Sequence, residues 1–518
     1  MNSDVEKFEL AEPYLAAWLA SLGLDVEYVR SAGNTLYYHD DQGREIPVLD
    51  LVGGYGSTIL GHNNPDIVAY AKQLLDEGTP IHAQFSRHPY ANDLARKINT
   101  ILWREFATSE PYSAVFSNSG AESIEIAIKH AEMDRGMKIA ALAEQIEAGI
   151  DQARAAVLAG ARVEPAGLPV NDGFDALVAH VRQVNGEQLA APPVFLAPEG
   201  SFHGKLIGSV QFTHNPGYRT PFKSLAAQCR FVPVTDLEAL TKVIDNERRV
   251  LLGFEVGDGV VRPVEHPMPS VAAFVLEAVQ GEAGIRLFDR ETARRIQAAC
   301  AAIDCPIVID EVQSGMGRTG TFFASAQIGL QGDYYALAKS LGGGVAKAGL
   351  TLIRSSRYRR DFELVHSSTF AKDSFSTLIA GRTVDLLEAD GGAAYRQATD
   401  RGNQLLKMLG RLRDEFPTVI KDARGRGLMV GLEFHDQSES SSEVIREQAR
   451  AGLLGYLLAS YLLREHAIRM FPTASNTNTM RIEPSIHLTD AEIGRVDVAL
   501  RQLIAVLKDQ DGKALSGA

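Results

Sequence analysis

Cysteine is scarce in this chain, with only Cys229, Cys300 and Cys305 among 518 residues. They show neither CxxC spacing nor an even framework, which excludes a disulfide scaffold and a zinc knot and points to a reducing, cytoplasmic compartment with no metal site. Basic runs are missing as well. The formal charge of −13 opposes a polyanionic partner, so nucleic acid is not expected and small molecules are. No run reaches the roughly 18 apolar residues of a membrane span. Met1-Asn2-Ser3-Asp4-Val5-Glu6-Lys7 lacks the basic stretch and apolar core of a leader, so neither a membrane segment nor an export signal is expected.

What the chain has is length and apolar content. At 518 residues with 45% hydrophobic it exceeds the size at which a single core stops growing, so two or more units are expected. Residues 1–64 read as an N-terminal arm and a piece of a small domain, 65–394 as a large domain, and 395–518 as a smaller C-terminal domain. Ala272–Leu276, Pro306–Ile309 and Tyr334–Leu337 are short, continuous apolar runs suited to strands buried on both faces, hence an α/β fold with a mainly parallel sheet. The stretch 136–195 differs: Ile139, Leu142, Ile146, Ile150, Ala153 and Val157 recur at three- and four-residue steps, and after a Pro/Gly break come Phe174, Leu177, Val178 and Val181. It reads as an inserted helical hairpin. Lys513 to Ala518 are expected to fray.

Ligands of parallel sheets bind at the carboxyl ends of the strands, and Glu277, Asp310 and Lys339 each stand at or just past such an end. A surface lysine and an N-capping aspartate are the ordinary readings, but both charges abut runs apolar enough to be buried, where an unpaired charge is costly. Pyridoxal phosphate (PLP) chemistry needs such a pair, a lysine to form a Schiff base and a carboxylate to keep the pyridine nitrogen protonated. Phe116-Ser117-Asn118-Ser119-Gly120-Ala121-Glu122 runs from a strand into a helix, where small residues and the helix dipole suit a phosphate; an ordinary cap by Asn118 or Ser119 fits equally. Gly200-Ser201-Phe202-His203-Gly204-Lys205 places an aromatic in a tight turn, either to stack on a flat ring or simply to join the core. Arg481 is either one half of a surface ion pair or a bidentate clamp for a substrate carboxylate.

Taken together these stretches resemble the class III aminotransferases, PLP enzymes of fold type I that include ornithine, acetylornithine and putrescine aminotransferases. The most specific part is Val308-Ile309-Asp310-Glu311-Val312-Gln313-Ser314-Gly315-Met316-Gly317-Arg318-Thr319-Gly320, followed at the family's distance by Ala338-Lys339. The resemblance implies a seven-stranded, mainly parallel sheet between helices, with a smaller α/β domain made from both chain ends. It makes Lys339 the aldimine lysine and Asp310 the partner of the pyridine nitrogen. Val312 and Phe202 would cover the two ring faces, Gln313 would reach the phenolic oxygen, and Ser119, Gly120 and Ala121 would form the phosphate cup. Thr369 would reach the phosphate of a neighbouring subunit, implying a homodimer with shared sites. Glu277 and Glu282 match the family's supporting acids, and Tyr55 a position lining the substrate pocket.

Lys205 stands where amino-acid-specific members carry an arginine, and lysine lacks the planar fork for a carboxylate. A diamine or amine/aldehyde substrate becomes more plausible on that ground. After Thr369-Phe370 the usual Gly-Gly-Asn-Pro gives way to Ala371-Lys372-Asp373-Ser374, a variation associated with relatives acting on long-chain or tethered aldehydes. The activity implied is ping-pong transamination between an amine or amino acid donor and a keto acid or aldehyde acceptor. The alternatives are an aminomutase or decarboxylating transaminase of the same family, or a non-catalytic interaction protein on this fold. The insertion fits a lid, an interface or a surface elaboration.

Overall fold

A computed structural model describes residues 10–82, 86–164, 168, 173–234 and 236–517. The residues read as lacking a leader, and most of the Pro/Gly break in the insertion, lie outside that set. The centre of the fold is a seven-stranded sheet, built from β1 (Tyr112–Ser117), β2 (Val194–Pro198), β3 (Cys229–Val232), β4 (Val271–Glu277), β5 (Ile307–Asp310), β6 (Tyr334–Leu337) and β7 (Gly349–Arg354). Their order across the sheet is β1-β7-β6-β5-β4-β2-β3. Only β7 runs against its neighbours; the pairs β4–β5, β4–β2, β5–β6 and β2–β3 are parallel. The apolar runs explain this placement: Phe274, Val275, Leu276, Val308, Ile309, Tyr334 and Tyr335 are fully buried, as strands covered on both faces require.

Helix α1 (Gly120–Leu158) follows β1, and helix α2 (Ser374–Glu415) carries the chain out of the large unit. Residues Ala389 to Gly392 break α2 with non-helical dihedrals, just before the boundary expected at 394/395. The smaller α/β unit draws on both chain ends. Ile468–Arg469 pairs in parallel with Glu45–Asp50, so the N-terminal strands and the C-terminal segment share a sheet. A second, antiparallel sheet orders Ile420–Arg426, Met429–Phe434, Thr479–Ile482 and Phe471–Pro472 side by side.

Two expectations need correction. The 136–195 stretch does not stand alone, because strands Arg249–Gly257 and Val260–Met268, which lie beyond it in the chain, form a long hairpin that pairs with its Arg162–Val163. Ile146, Ile150, Ala153, Leu177, Val178 and Val181 from the helices bury against Leu251, Phe254, Val261 and Met268 from these strands, giving the insertion its own apolar core. The C-terminus is not frayed as far as Ser516: Gly512–Ser516 is a short helix capped by Asp511, with Leu515 fully buried. Among the described residues no helix is long and apolar enough to cross a membrane.

Candidate active site

Register brings the acids into line. Glu277 pairs with Asp310 across β4–β5, and Asp310 with Ala336 across β5–β6, so the three residues form one row at the carboxyl edge. Lys339 follows three positions after Ala336, in a left-handed conformation (φ 47°). Such a backbone costs a non-glycine residue about 1–3 kcal/mol and persists only where its surroundings impose it. Part of that imposition is visible: the Ser340 hydroxyl donates to the Gly56 carbonyl at 2.7 Å, and Leu341 is fully buried. The Lys339 side chain is enclosed by protein yet keeps partial solvent contact. Burial holds its pKa below the ordinary lysine value against the opposing pull of Glu483 and Glu282.

Asp310 is held on both oxygens. Oδ1 accepts from the Val312 N–H at 3.0 Å, and Oδ2 lies 2.8 Å from His203 Nδ1. Burial opposes a charged imidazole, but the Asp310 bond and charge outweigh it, so the His203 pKa is raised. His203 belongs to the turn singled out for Phe202, yet its contact with Asp310 went unread. Glu277 accepts from the Phe202 N–H at 3.0 Å and the Gly281 N–H at 3.2 Å. It thereby ties the Phe202 turn to the sheet edge.

Burial pushes the Glu277 pKa up to about 7. A carboxyl raised in the folded state binds its proton more tightly there than in the unfolded chain, so its contribution to stability is complete below the unfolded value. It fades as pH rises through about 7. Glu277→Gln should therefore lose less stability than the wild type between pH 5 and 8, by about 2 kcal/mol, in urea titrations at both pH values.

At the β1–α1 junction the cap that was read there is present. Ser119 is the N-cap of α1, accepting from the Glu122 N–H at 3.2 Å. The next N–H groups, of Gly120 and Ala121, belong to the first turn, which has no intrahelical acceptors and is a natural anion seat. Gly120 is required by contact, since a Cβ there would stand 2.5 Å from Val312 Cγ1. Gly204, at φ +106°, lets the Phe202 turn lie against Ala121, where a Cβ would meet the Ala121 Cβ at 2.6 Å. Phe202 and Val312 each keep part of their surface open beside this junction. Gly120→Ala should destabilise the fold by about 1–3 kcal/mol, read from a thermal melt.

The residues expected to meet substrate cluster beyond Lys339. Arg481 is almost wholly buried and forms a two-armed ion pair with Glu282, with Nη1 donating to Oε1 at 2.8 Å. The surface-pair reading of Arg481 is thereby excluded. Burial raises and Arg481 lowers the Glu282 pKa, with a net downward shift. The Arg481 guanidinium lies 5.0 Å from the centre of the Tyr55 ring. Lys205 is exposed, its ammonium 4.2 Å from the centre of the Tyr218 ring, and Tyr218 meets Phe202 edge to face. The Gln313 amide donates to both oxygens of Glu483, at 2.9 and 3.1 Å. Glu483, fully buried, had not been singled out; it lies two residues after Arg481 at the end of a strand, where alternation puts both on one side. Thr369 is exposed, and its neighbour Ser368 accepts from Asn118 Nδ2 at 2.8 Å.

The site fits PLP on these observations: a glycine seat closed by Val312, two part-open apolar side chains, and a strained lysine beside a braced aspartate. Comparisons with known proteins agree. The family model described as aminotransferase class-III matches residues 20–479. A putrescine aminotransferase of Pectobacterium atrosepticum is 30% identical over 489 residues, covering 94% of this chain and 83% of that one. Among solved structures, an ornithine aminotransferase of Toxoplasma gondii superposes with a TM-score of 0.67 at 19% identity, covering 98% of both chains. An amine transaminase from an uncultivated Pseudomonas species, solved in its PLP-bound form, gives 0.65 at 21% identity over 96% of this chain and 97% of that one. At such identities the superpositions speak for the fold.

Proposed function

The chain belongs to the class III aminotransferase family, a family of PLP-dependent transaminases, and from that premise we propose that Lys339 and Asp310 are its catalytic pair. The single observation that carries this reading is the strained Lys339 standing beside the Glu277–Asp310–Ala336 row. When bound, the cofactor supplies the electron sink that makes a donor C–H bond acidic. Asp310, braced by His203 and the Val312 N–H, keeps the ring nitrogen protonated. Lys339 would hold the cofactor and, as the freed amine, would take the proton from the donor carbon and return it on the other side of the transferred nitrogen. Its depressed pKa raises the fraction of neutral amine available for that work. Ser119, Gly120 and Ala121 would hold the phosphate and Val312 and Phe202 would confine the ring, while Glu277 fixes the Phe202 turn. The acceptor carbonyl then runs the same steps in reverse, which gives ping-pong kinetics.

Tyr55, Lys205, Glu282 and Arg481 line the substrate side of this reading. Arg481 is held closed by Glu282 on that side. Initial rates with an amine donor and a keto acid acceptor should give parallel double-reciprocal lines; intersecting lines would count against the assignment. We place the active form as a homodimer in the cytoplasm. Ile207, Phe222, Leu225, Leu364, Val365 and Phe370 are all substantially exposed, an apolar surface that a second copy would cover. It includes the loop bearing Thr369, which would then serve the partner's phosphate. The three cysteines are unpaired and buried, which suits a reducing compartment. Sedimentation should give twice the mass of one chain, and Val365→Asp should shift it toward the monomer with loss of bound cofactor. The large domain is proposed to span 65–394, with 1–64 and 395–518 as the smaller one.

A further inference from the structure

Two carboxylates converge on the Arg481 guanidinium. Glu282 engages Nη1 and Nη2, and Glu483 Oε2 stands 4.0 Å from Nη1. Glu483 is fully buried and held in place, its backbone N–H donating to the Leu51 carbonyl at 2.7 Å and its oxygens accepting from Gln313. A second buried guanidinium, Arg318, faces Glu483 from behind and offsets part of the cost of burying it, while donating to the Leu428 and Pro484 carbonyls at 3.0 and 2.9 Å. Lys339 lies within reach of both acids. Arg481 thus already has acids on both sides of its donors. A substrate carboxylate would have to displace Glu282 and would still meet the fixed negative charge of Glu483.

The surroundings favour a cation instead. Tyr55, Tyr218 and Tyr456 border the ion pair, each keeping some surface open. Two of these rings already carry a cation on their faces, Arg481 on Tyr55 and Lys205 on Tyr218. Tyrosine faces attract ammonium groups through the ring quadrupole, and more strongly where water is excluded.

We propose that Glu483 is a specificity-determining residue that turns the donor pocket against carboxylates and toward amines bearing a second, distal positive charge. The inference rests on the transaminase reading and names the substrate class within it. Because Glu483 acts through charge beside Arg481, the isosteric change Glu483→Gln keeps an acceptor for Gln313 and removes the charge alone.

Two measurements on the PLP-loaded protein test it. Glutarate, an unreactive dicarboxylate, should bind Glu483→Gln about tenfold more tightly than wild type by titration calorimetry, a gain that a merely structural lesion would not produce. In single-turnover mixing, wild type should lose its visible band at least tenfold more efficiently with 1,4-diaminobutane than with 4-aminobutanoate, and the variant should narrow that ratio about tenfold. An unchanged ratio with unchanged glutarate affinity overturns the role of Glu483 while leaving transamination intact. Should the variant not fold, the wild-type ratio decides, since a preference for 4-aminobutanoate is incompatible with the proposal. Failure of every primary amine to bleach the band would instead sink the transaminase assignment.

Discussion

Lys339→Ala should abolish transamination, lowering turnover by about 10⁴-fold or more. The same variant should bind cofactor without the borohydride-sensitive visible band of the wild type. The size follows from the number of tasks on one amine. In the proposed role it would anchor the cofactor covalently, be released as the donor arrives and then carry the proton, and among the described residues no other amine stands in the row at the sheet edge. Lys205 is exposed and lies on the Tyr218 ring, on the substrate side of Phe202. If Lys339→Ala kept more than about a hundredth of wild-type turnover, the proton would have to move through another group. The strained backbone gives a second signature, since Lys339→Gly removes the left-handed penalty along with the amine. The glycine variant should therefore melt higher than the alanine variant, although both are inactive.

Asp310→Asn should cost about 10²–10³-fold in kcat, as expected when a fixed charge aimed at developing charge is removed. The side chain keeps its shape and can still accept from the Val312 N–H. What disappears is the negative charge that, in the proposed role, would hold a proton on the ring nitrogen. His203 should respond too: its pKa is raised by Asp310 against the effect of burial, so losing that partner should bring it down. The fall in kcat should accompany a changed pH profile, and a uniform loss across pH would instead indicate a packing defect. Donor KM should move little, because the proposed place of Asp310 is at the cofactor and not in the substrate pocket.

Much of this site was legible in the sequence because its residues break a local rule. Asp310 and Lys339 are charges placed at the ends of runs that fold as fully buried strands, the kind of local rule-breaking that marks a candidate site. Glu483 breaks the same rule after Thr479–Ile482, and period-2 alternation with Arg481 was signal enough to find it. His203 was harder, because its partner Asp310 is 107 positions away and only sheet register brings the turn and the strand end together. The hairpin that covers the insertion was missed for a similar reason. Gly257-Asp258-Gly259 between Val256 and Val260 is a turn signal, but the helices these strands cover lie about a hundred residues earlier. Local pattern says that an element exists; which distant segment it packs on is decided by the tertiary fold.

Helix α1 is 39 residues long, and at about 1.5 Å per residue it is a rod of roughly 58 Å. Its first turn lies at the β1–α1 junction, and its last turns are packed into the inserted unit. The tip of that unit is therefore carried far from the glycine seat of its own chain. A partner docked at that remote end would stand clear of this chain's own Lys339.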